Sequence, residues 1–486
     1  MNTNKQMIFG GVFWKVAERF GAKGVSFIVS IILARLLDPS DYGAITILTV
    51  FVSFADIFVL EGFASALIQK KEADNKDFST AFIFNLVLSV LLYAFMFFFA
   101  PWVAGFYEMP VLKPVLRIMA LRLPIGAINS IQQAYVSRKF DFKKFFWATI
   151  TGTIISAFIG IGLAVLGLGV WALVAQMLTN TIIGTIMLWF MVKWRPELYF
   201  SFERLKALFG FGMGILGYNL VMNFYDQLRS LIIGKKYSSD DLAYYSKGGD
   251  IPNIFVANIN TSLGDVLFSL LSRVQDDIQA IHEYSKKFVQ MSTYILSPIL
   301  VGLLVTAEPL IKLLYTEKWL GAVPYLQIFC LGMLLRPLNS VNIQILKARG
   351  LSKDLLKMDM YIRLFGIAVL LIAMNHGVIW IALSTIAVSV VGCIIYAVPV
   401  MKKVKLSMLS ELRNWLYGLF PSMVMGICVF LCGQLIKASY ICVLILQIVI
   451  GIVVFLLVSI LTRNKSFIMV RDYLFSVLKG KANKKK

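Results

Sequence analysis

Long apolar stretches, separated by short polar segments, recur along almost the whole chain. Each stretch has roughly the 20 residues that a helix needs to cross the hydrocarbon core of a bilayer. Fourteen such spans can be drawn, at residues 9–36, 42–66, 78–103, 112–135, 147–166, 169–192, 207–234, 249–272, 288–312, 322–346, 358–375, 377–399, 414–434 and 440–462. A helix satisfies its own backbone hydrogen bonds inside lipid, and no alternating barrel pattern is visible. The sequence therefore predicts an all-α polytopic membrane protein with about fourteen transmembrane helices.

The basic residues between these spans predict the topology. With the N-terminus inside, 31 of the 47 lysines and arginines fall in cytoplasmic segments, six in outer loops and ten inside spans. Because cytoplasmic loops of membrane proteins carry an excess of Lys and Arg, this alternation predicts that both termini are cytoplasmic. The net charge of +21 then serves topology and contact with anionic membrane lipids, and no nucleic acid partner is expected.

Composition excludes several other functions. The five cysteines all lie in hydrophobic spans without metal-ligand spacing, and the two histidines lie in loops. The longest loops have about fifteen residues, which is too short for a catalytic domain. We therefore expect a protein that is not an enzyme and carries no metal or cofactor, although transport could be coupled to H⁺ or Na⁺. Transport is the function that remains.

Internal similarity predicts two lobes. A shift of 210 residues aligns spans four to six with spans ten to twelve, and places Asn129-Ser130 on Asn339-Ser340 and Gly167 on Gly377. Because six spans are an even number, both lobes start on the same side, as a parallel repeat about an axis along the membrane normal. The predicted domains are a six-helix lobe at 1–200, a second at 201–403, two extra transmembrane helices at 404–463 and a basic cytoplasmic tail at 464–486.

The ten cations inside spans predict a cavity. A charge near the bilayer centre costs roughly 2.5–3.5 kcal/mol even on mild insertion scales, so such residues usually face water or a partner. Four of them lie near span ends, where their side chains can reach the interface. The other six are candidates for a cationic substrate-binding cavity, with helix carbonyls or acids as alternative partners: Arg19, Lys23, Arg122, Arg229, Arg336 and Arg363.

The seventh span carries a polar stripe. Asn219, Asn223 and Asp226 recur at i, i+4 and i+7 and so share one helix face, which predicts a polar cavity lining. Arg229 lies three residues beyond Asp226, so a local ion pair between the two is an alternative. Four acids are candidates for ion coupling or for structural pairing with arginine: Glu18, Asp56, Asp226 and Asp265.

Two arginines lie beside prolines at nearby positions of the predicted repeat. Arg122 is close to Pro124, and Arg336 precedes Pro337. Proline interrupts helical hydrogen bonding and permits a bend, and the guanidinium fork suits phosphate oxygens. The pair could form a phosphate clamp, or each arginine could bind a helix carbonyl or an acid.

Two motifs resemble a known family. Residues 32–43 read Ile-Leu-Ala-Arg-Leu-Leu-Asp-Pro-Ser-Asp-Tyr-Gly, and the ninth span and its outer loop carry Ala307-Glu308-Pro309 and Glu317-Lys318-Trp319. Both resemble Wzx-type oligosaccharide flippases of the polysaccharide transporter family, in the multidrug/oligosaccharidyl-lipid/polysaccharide exporter superfamily. The resemblance covers residues from about 5 to 400.

The resemblance implies a flippase in the bacterial cytoplasmic membrane. Its substrate would be an undecaprenyl-pyrophosphate-linked oligosaccharide, moved to the outer leaflet for polysaccharide biosynthesis by alternating access around a cationic cavity. Membrane lipids and the polysaccharide polymerase machinery would be its partners. A lipid II-type flippase and an ion-coupled small-molecule antiporter of the same superfamily remain alternatives. A membrane polymerase or ligase normally has a large outer loop, which this sequence lacks.

Overall fold

The computed structural model describes residues 14, 21–70, 72–139, 141–436, 438–469 and 471–472. Within these ranges the secondary structure is helical and no strand occurs, which confirms the predicted all-α class. Contacts divide the chain into two compact units, Met1–Ala243 and Tyr244–Lys486. Each unit is described by itself below.

The first unit is a bundle of nine helices as far as the described residues go. They are α1 (21–36), α2 (Pro39–Asp56), α3 (Gly62–Gln69), α4 (Asn75–Phe106), α5 (Leu112–Met119), α6 (Arg122–Arg138), α7 (Phe142–Val165), α8 (Val170–Met191) and α9 (Phe202–Lys236). Helix α7 packs along α8, α6 packs against α4 and α8, and α9 packs against α2 and α3.

The second unit contains the remaining helices. They are α10 (Ser239–Arg273), whose first residues belong to the first unit, α11 (Ile278–Val305), α12 (Ala307–Tyr315), α13 (Val323–Met333), α14 (Arg336–Ala348), α15 (Ser352–Ala373), α16 (Val378–Val404), α17 (Met408–Leu435) and α18 (Tyr440–Leu461). The main packing pairs are α11 with α17, α17 with α18, and α15 with α16.

The number of membrane spans agrees with the prediction only in part. Ten described helices are long and apolar enough to cross a membrane, or eleven if the bent pair Glu317–Met333 and Arg336–Ala348 is one span. The count of fourteen, the parallel repeat and the four domain ranges remain predictions. Helix α9, which the sequence prediction assigned to the second lobe, lies in the first compact unit.

The fourth and tenth predicted spans each consist of two consecutive helices. The fourth span consists of α5 and α6, and the tenth consists of α13 and α14, which meet at 41°. The second halves begin at Arg122 and at Arg336, beside Pro124 and Pro337. Because proline cannot donate a backbone hydrogen bond, helical pairing is weakest there. The predicted bend beside Pro337 is therefore confirmed, whereas Leu112–Arg138 also qualifies as one continuous span and the bend beside Pro124 stays a prediction.

Apolar clusters hold each bundle together. In the first unit, Leu67, Phe78 and Ile131 are buried together with Trp194 from the segment between α8 and α9. In the second unit, α10, α11, α14 and α16 bury a comparable cluster around Val341. Moving such a side chain from water into a protein interior is favourable by roughly 1.5–3 kcal/mol. Where the helices are surrounded by lipid, close van der Waals packing holds them together instead.

Candidate functional site in the first unit

A π-helical turn interrupts the helix that carries Asp56. Helix α2 ends at Asp56, the turn spans Ile57–Glu61, and α3 follows directly. The side-chain amide of Asn85 on α4 donates to the Val59 carbonyl within this turn, over 2.8 Å from Nδ2 to O. The same amide lies 2.8 Å from Ser130 Oγ on α6. Since π turns often occur at functional sites, this interruption marks the region beside Asp56.

Asp56 and Arg122 form an ion pair. Arg122 Nη2 lies 3.0 Å from Asp56 Oδ2, and the two side chains are 24% and 19% exposed. Arg122 begins α6 immediately after the break that follows α5, so the break directs the guanidinium toward the end of α2. Pairing lowers the cost of holding either charge inside a membrane span.

The ion pair lies at the wall of a polar cavity of about 250 Å³. Its other polar lining groups come from α6, α7 and α8, and are Asn129, Gln133, Thr149, Asn180 and Thr181. Asn129 Oδ1 is buried and has no hydrogen-bond partner among the described residues. Because an unpaired buried acceptor is costly, this oxygen is available to a ligand or water in the cavity.

Close packing of α7 and α8 shapes the wall of the cavity. A Cβ added at Gly152 on α7 would lie 3.1 Å from the Asn180 carbonyl oxygen on α8, and one at Gly160 would lie 2.9 Å from Gln176 Cβ. Small residues at these positions let two membrane helices approach closely. Asn180 Nδ2 donates to Thr153 Oγ1 on α7 over 3.5 Å, and the Asn180 side chain lines the same cavity as Thr149 and the ion pair.

Helix α9 adds polar groups near α2. The Ser53 hydroxyl donates to Asn223 Oδ1 over 3.1 Å, three residues before Asp56 on α2. Arg229 is 9% exposed, and its guanidinium carbon lies 5.4 Å from the centre of the Tyr225 ring. Its buried Nε has no hydrogen-bond partner among the described residues. A buried cation with an unused donor is suited to binding an anion.

Apart from Asp56 and Arg122, the predicted site residues that the structure describes are absent from the lining of this cavity, and this includes Asn223 and Arg229. Arg336 and Asp265 are exposed, and Arg363 is partly buried on α15 in the second unit. Lys23 and Asp226 are exposed, and Asn219 is partly buried, in the first unit. Arg19 and Glu18 lie outside the described residues. Of the predicted candidates, the structure thus brings Arg122 and Asp56 into direct contact, and the roles of all of them remain predictions.

The sequence prediction did not include Asn85, Asn129, Gln133 or Asn180 among the site residues. One signal was present, because Asn129 belongs to the Asn-Ser pair that repeats at Asn339. Single amides in long apolar spans otherwise look alike in a sequence, since only packing decides whether they face lipid, a neighbouring helix or a cavity.

The donor set of the cavity suits a small hard cation, water or an anion rather than a transition metal. Across the described residues, no three His, Cys, Asp or Glu side chains lie close enough together to hold a metal ion. One carboxylate with amide and hydroxyl oxygens resembles the oxygen ligands that hard cations use. The guanidinium beside it can instead bind a phosphate oxygen.

Comparisons with known proteins agree with this architecture. The chain is 26% identical over 330 residues to the succinoglycan biosynthesis transport protein ExoT of Rhizobium meliloti (strain 1021), covering 68% of this chain and 67% of that protein. It is 25% identical over 381 residues to the teichuronic acid biosynthesis protein TuaB of Bacillus subtilis (strain 168), covering 78% and 79%.

A solved structure shares the fold. The lipid II flippase MurJ in an inward closed conformation superposes with a TM-score of 0.76 at 16% identity, covering 93% of this chain and 99% of that chain. The model of a family described as polysaccharide biosynthesis protein matches residues 32–324, which is more than half of the chain. These matches confirm the resemblance drawn from the sequence motifs. This multi-pass membrane protein belongs to the polysaccharide biosynthesis protein family of membrane transporters.

Proposed function

We propose that this protein is a flippase that moves undecaprenyl-pyrophosphate-linked oligosaccharide repeat units from the cytoplasmic to the outer leaflet of the bacterial cytoplasmic membrane. Family membership supports a transporter of polysaccharide biosynthesis, and one relative is named for succinoglycan transport. A pyrophosphate-linked glycan is anionic and polar, so a protein that carries it needs cations and amides at membrane depth.

The observation that carries the proposal is the Arg122 guanidinium beside a polar cavity, paired with a carboxylate that an anion can displace. Asp56 Oδ2 lies 3.0 Å from Arg122 Nη2. A pyrophosphate oxygen offers the guanidinium the same geometry as a carboxylate and more negative charge. Substrate binding would then exchange one partner of Arg122 for another, so that the guanidinium has an anionic partner at either stage.

The same exchange offers a route to ion coupling. When phosphate takes Arg122, the released Asp56 carboxylate gains a proton or a Na⁺ ion, because an isolated acid inside a membrane is costly as an anion. Its neighbours Asn129 and Asn180 supply amide oxygens for a cation. Arg229, on α9 of the same unit, would contact the pyrophosphate, while Asn219 and Asn223 would line the path of the glycan.

The test is complementation of a deletion strain. Loss of the gene should cause complete lipid-linked repeat units to accumulate on the cytoplasmic side, measured by extraction of the lipid-linked glycan and its accessibility to an external glycosidase. Arg122→Gln and Arg229→Gln should each fail to restore export while inserting normally into the membrane. Arg117→Gln is the matched control for Arg122→Gln, since Arg117 Nε donates to the Phe97 carbonyl oxygen over 3.1 Å and Arg117 is absent from the cavity lining.

Other outcomes would point elsewhere. Unaltered lipid-linked glycan with changed drug resistance would contradict the proposal and favour an ion-coupled antiporter. Accumulation of peptidoglycan precursors in place of repeat units would favour a lipid II-type flippase. Full export by both arginine variants would refute the role of the cations even if the substrate were correct.

A further inference from the structure

A second polar pocket, of about 350 Å³, lies in the second unit where α11 and α17 meet the segment after α18. Three cations line it: Lys286, Arg413 and Lys465. All three fall in segments that the charge distribution predicts to be cytoplasmic, and none forms an ion pair with a described acid. The nearby carboxylate of Glu283 pairs with Lys287 instead, at 2.6 Å. Glu283 also interacts electrostatically with Lys286, but no acid among the described residues lines the pocket, so the three cations give the pocket a net positive charge.

The fold holds Lys465 at this pocket. Arg463 has a φ of 46°, in the left-handed region, and reverses the chain at the end of α18. The Asn464 N–H donates to the Ser459 carbonyl oxygen over 3.0 Å, which closes the turn. The Lys465 N–H then donates to the Tyr417 hydroxyl oxygen on α17 over 2.8 Å. Backbone hydrogen bonds thus fix the position of Lys465 at the pocket.

Buried amides form the floor of the pocket. Gln290 on α11 and Asn414 on α17 are 7% and 9% exposed, and Gln290 Nε2 donates to Asn414 Oδ1 over 2.9 Å. Because this bond uses the Asn414 oxygen, its NH₂ group is left as a donor. An amide that can donate a hydrogen bond, together with three cations in the same pocket, suits a phosphate group. Glu411, the nearest buried acid on α17, lines an adjacent cavity and accepts from Asn342 over 3.0 Å.

An apolar surface runs from the pocket along α17. Leu409, Leu412, Leu416 and Phe420 are all exposed, at a spacing of three or four residues that places them on one face of the helix. Arg413 lies within this run and is exposed as well. A phospholipid joins a phosphate to acyl chains. The cations could bind its phosphate while the exposed apolar face of α17 contacts its acyl chains. A soluble phosphate would use only the cations.

We infer that this pocket binds the headgroup phosphate of an anionic glycerophospholipid, with the acyl chains along the exposed face of α17. The cytoplasmic leaflet is rich in anionic lipids, and basic pockets between transmembrane helices on that side bind such headgroups. The bound lipid would tie α11, α17 and the segment after α18 together. This site is separate from the Arg122 cavity and does not depend on the proposed transport substrate.

Native mass spectrometry of the full-length protein tests the inference. The protein is released from nanodiscs of phosphatidylcholine containing phosphatidylglycerol, and retained phosphatidylglycerol is counted for wild type, Arg413→Gln/Lys465→Gln and Lys353→Gln/Lys402→Gln. The last variant is the matched control, because it removes two exposed cations outside the pocket on the same predicted side. Melting temperatures of all three proteins check folding, and Arg413→Lys tests the guanidinium separately.

The pocket variant should retain phosphatidylglycerol roughly 30-fold more weakly, since each cation near an anionic lipid strengthens binding about fivefold. The control should change less than about twofold, because its cations contribute only diffuse attraction. Equal losses in both variants, or no loss in either, would overturn the inference. Displacement of the lipid by inorganic phosphate would assign a soluble anion, and displacement by much less polyprenyl pyrophosphate would assign the pocket to the substrate path. Either result would also overturn it.

Discussion

At the residue scale, polar side chains inside the spans act by finding partners within the protein. Several buried Ser and Thr hydroxyls bond to a carbonyl of their own helix, as Ser89 does with Leu86. Asn85 differs, because its amide bridges the π turn at Val59 and Ser130 on another helix. Arg122 and Asp56 neutralise each other in the same way. Polar contacts between helices therefore join α4 to the π turn and to α6, and α6 to α2.

Replacing Asn85 tests this view. Asn85→Leu keeps the volume but leaves the Val59 carbonyl without its donor, so the free energy of unfolding should fall by about 1–3 kcal/mol. Ser89→Ala is the control one helical turn away, because its hydroxyl bonds only within α4, and its effect should stay within about 0.5 kcal/mol. Thermal unfolding of the purified protein in detergent measures both. Equal melting temperatures for Asn85→Leu and wild type would contradict the bridging role.

The sequence shows which residues inside the spans need a partner, but it does not show which partner each one finds. The charges inside spans are visible because each one breaks an apolar run, and the ion-pairing alternative for Arg122 and Asp56 follows from their cost in lipid. The choice of partner is not visible, because Asp56 and Arg122 lie on helices that only folding brings together. The burial of Asn85 against Val59 likewise depends on a π turn that has no sequence signature.

At the element scale, helix breaks and close approaches arrange the site. The breaks before Arg122 and Arg336 follow from nearby prolines, and the loops before α8 and α16 use glycines with positive φ, at Gly169 with 51° and Gly377 with 113°. These features are local, so the sequence predicts them well. Close approaches of two helices are not local and depend on which glycine faces which neighbour.

The contact between α11 and α17 depends on Gly418. A Cβ at this position would lie 2.8 Å from the Gln290 carbonyl oxygen and 3.0 Å from Thr293 Cβ. Gly418→Ala should therefore overpack the contact and lower stability by about 1–3 kcal/mol. Gly302→Ala is the matched control, since nothing lies within 4 Å of its added Cβ, and it should be neutral or stabilising by up to about 1 kcal/mol. Equal melting temperatures for the two variants would show that α11 and α17 are not in close contact.

An ionic cluster links the start of α4 to the start of α9. Arg204 Nη1 lies 2.6 Å from Asp74 and 3.0 Å from Asp77, and Lys70 pairs with Asp77 at 2.6 Å. Burial alone would raise the pKa of Asp74, but the Asp77 backbone N–H and Arg204 outweigh it and lower this pKa. The contribution of Asp74 to stability is therefore present above its ordinary pKa of about 3.9 and is lost as pH falls through the lower folded value.

Asp74→Asn should accordingly flatten the fall in melting temperature between about pH 5 and about pH 2, where the folded and unfolded states differ in protonation of this carboxyl. The effect should be small, since the Asp74 side chain is 52% exposed and water screens the pair. Exposed Glu72, two residues away, supplies the control Glu72→Gln. A slope in Asp74→Asn as steep as in wild type would contradict the role of the pair.

At the scale of the whole molecule, the charge alternation predicts which loops face the cytoplasm, and labelling of single cysteines tests it. In a background without the five native cysteines, Glu108→Cys should react with a membrane-impermeant maleimide on intact cells, because residue 108 lies in a predicted outer loop and its side chain is 82% exposed. Lys353→Cys should react only after the membrane is permeabilised. Labelling of Lys353→Cys on intact cells would contradict the predicted topology.

The sequence alone determined the membrane class, the helical architecture and the family. Apolar length, loop charge and short motifs are local properties, which can be read without knowing the contacts between helices. It also indicated that charges such as Asp56 and Arg122 need partners. Only the tertiary structure decided that these two pair with each other, that Asn85 supports the turn beside them and that α9 packs in the first compact unit. Contacts between helices far apart in the chain depend on shape and packing, which apolar helices of similar composition do not encode in any short stretch of sequence.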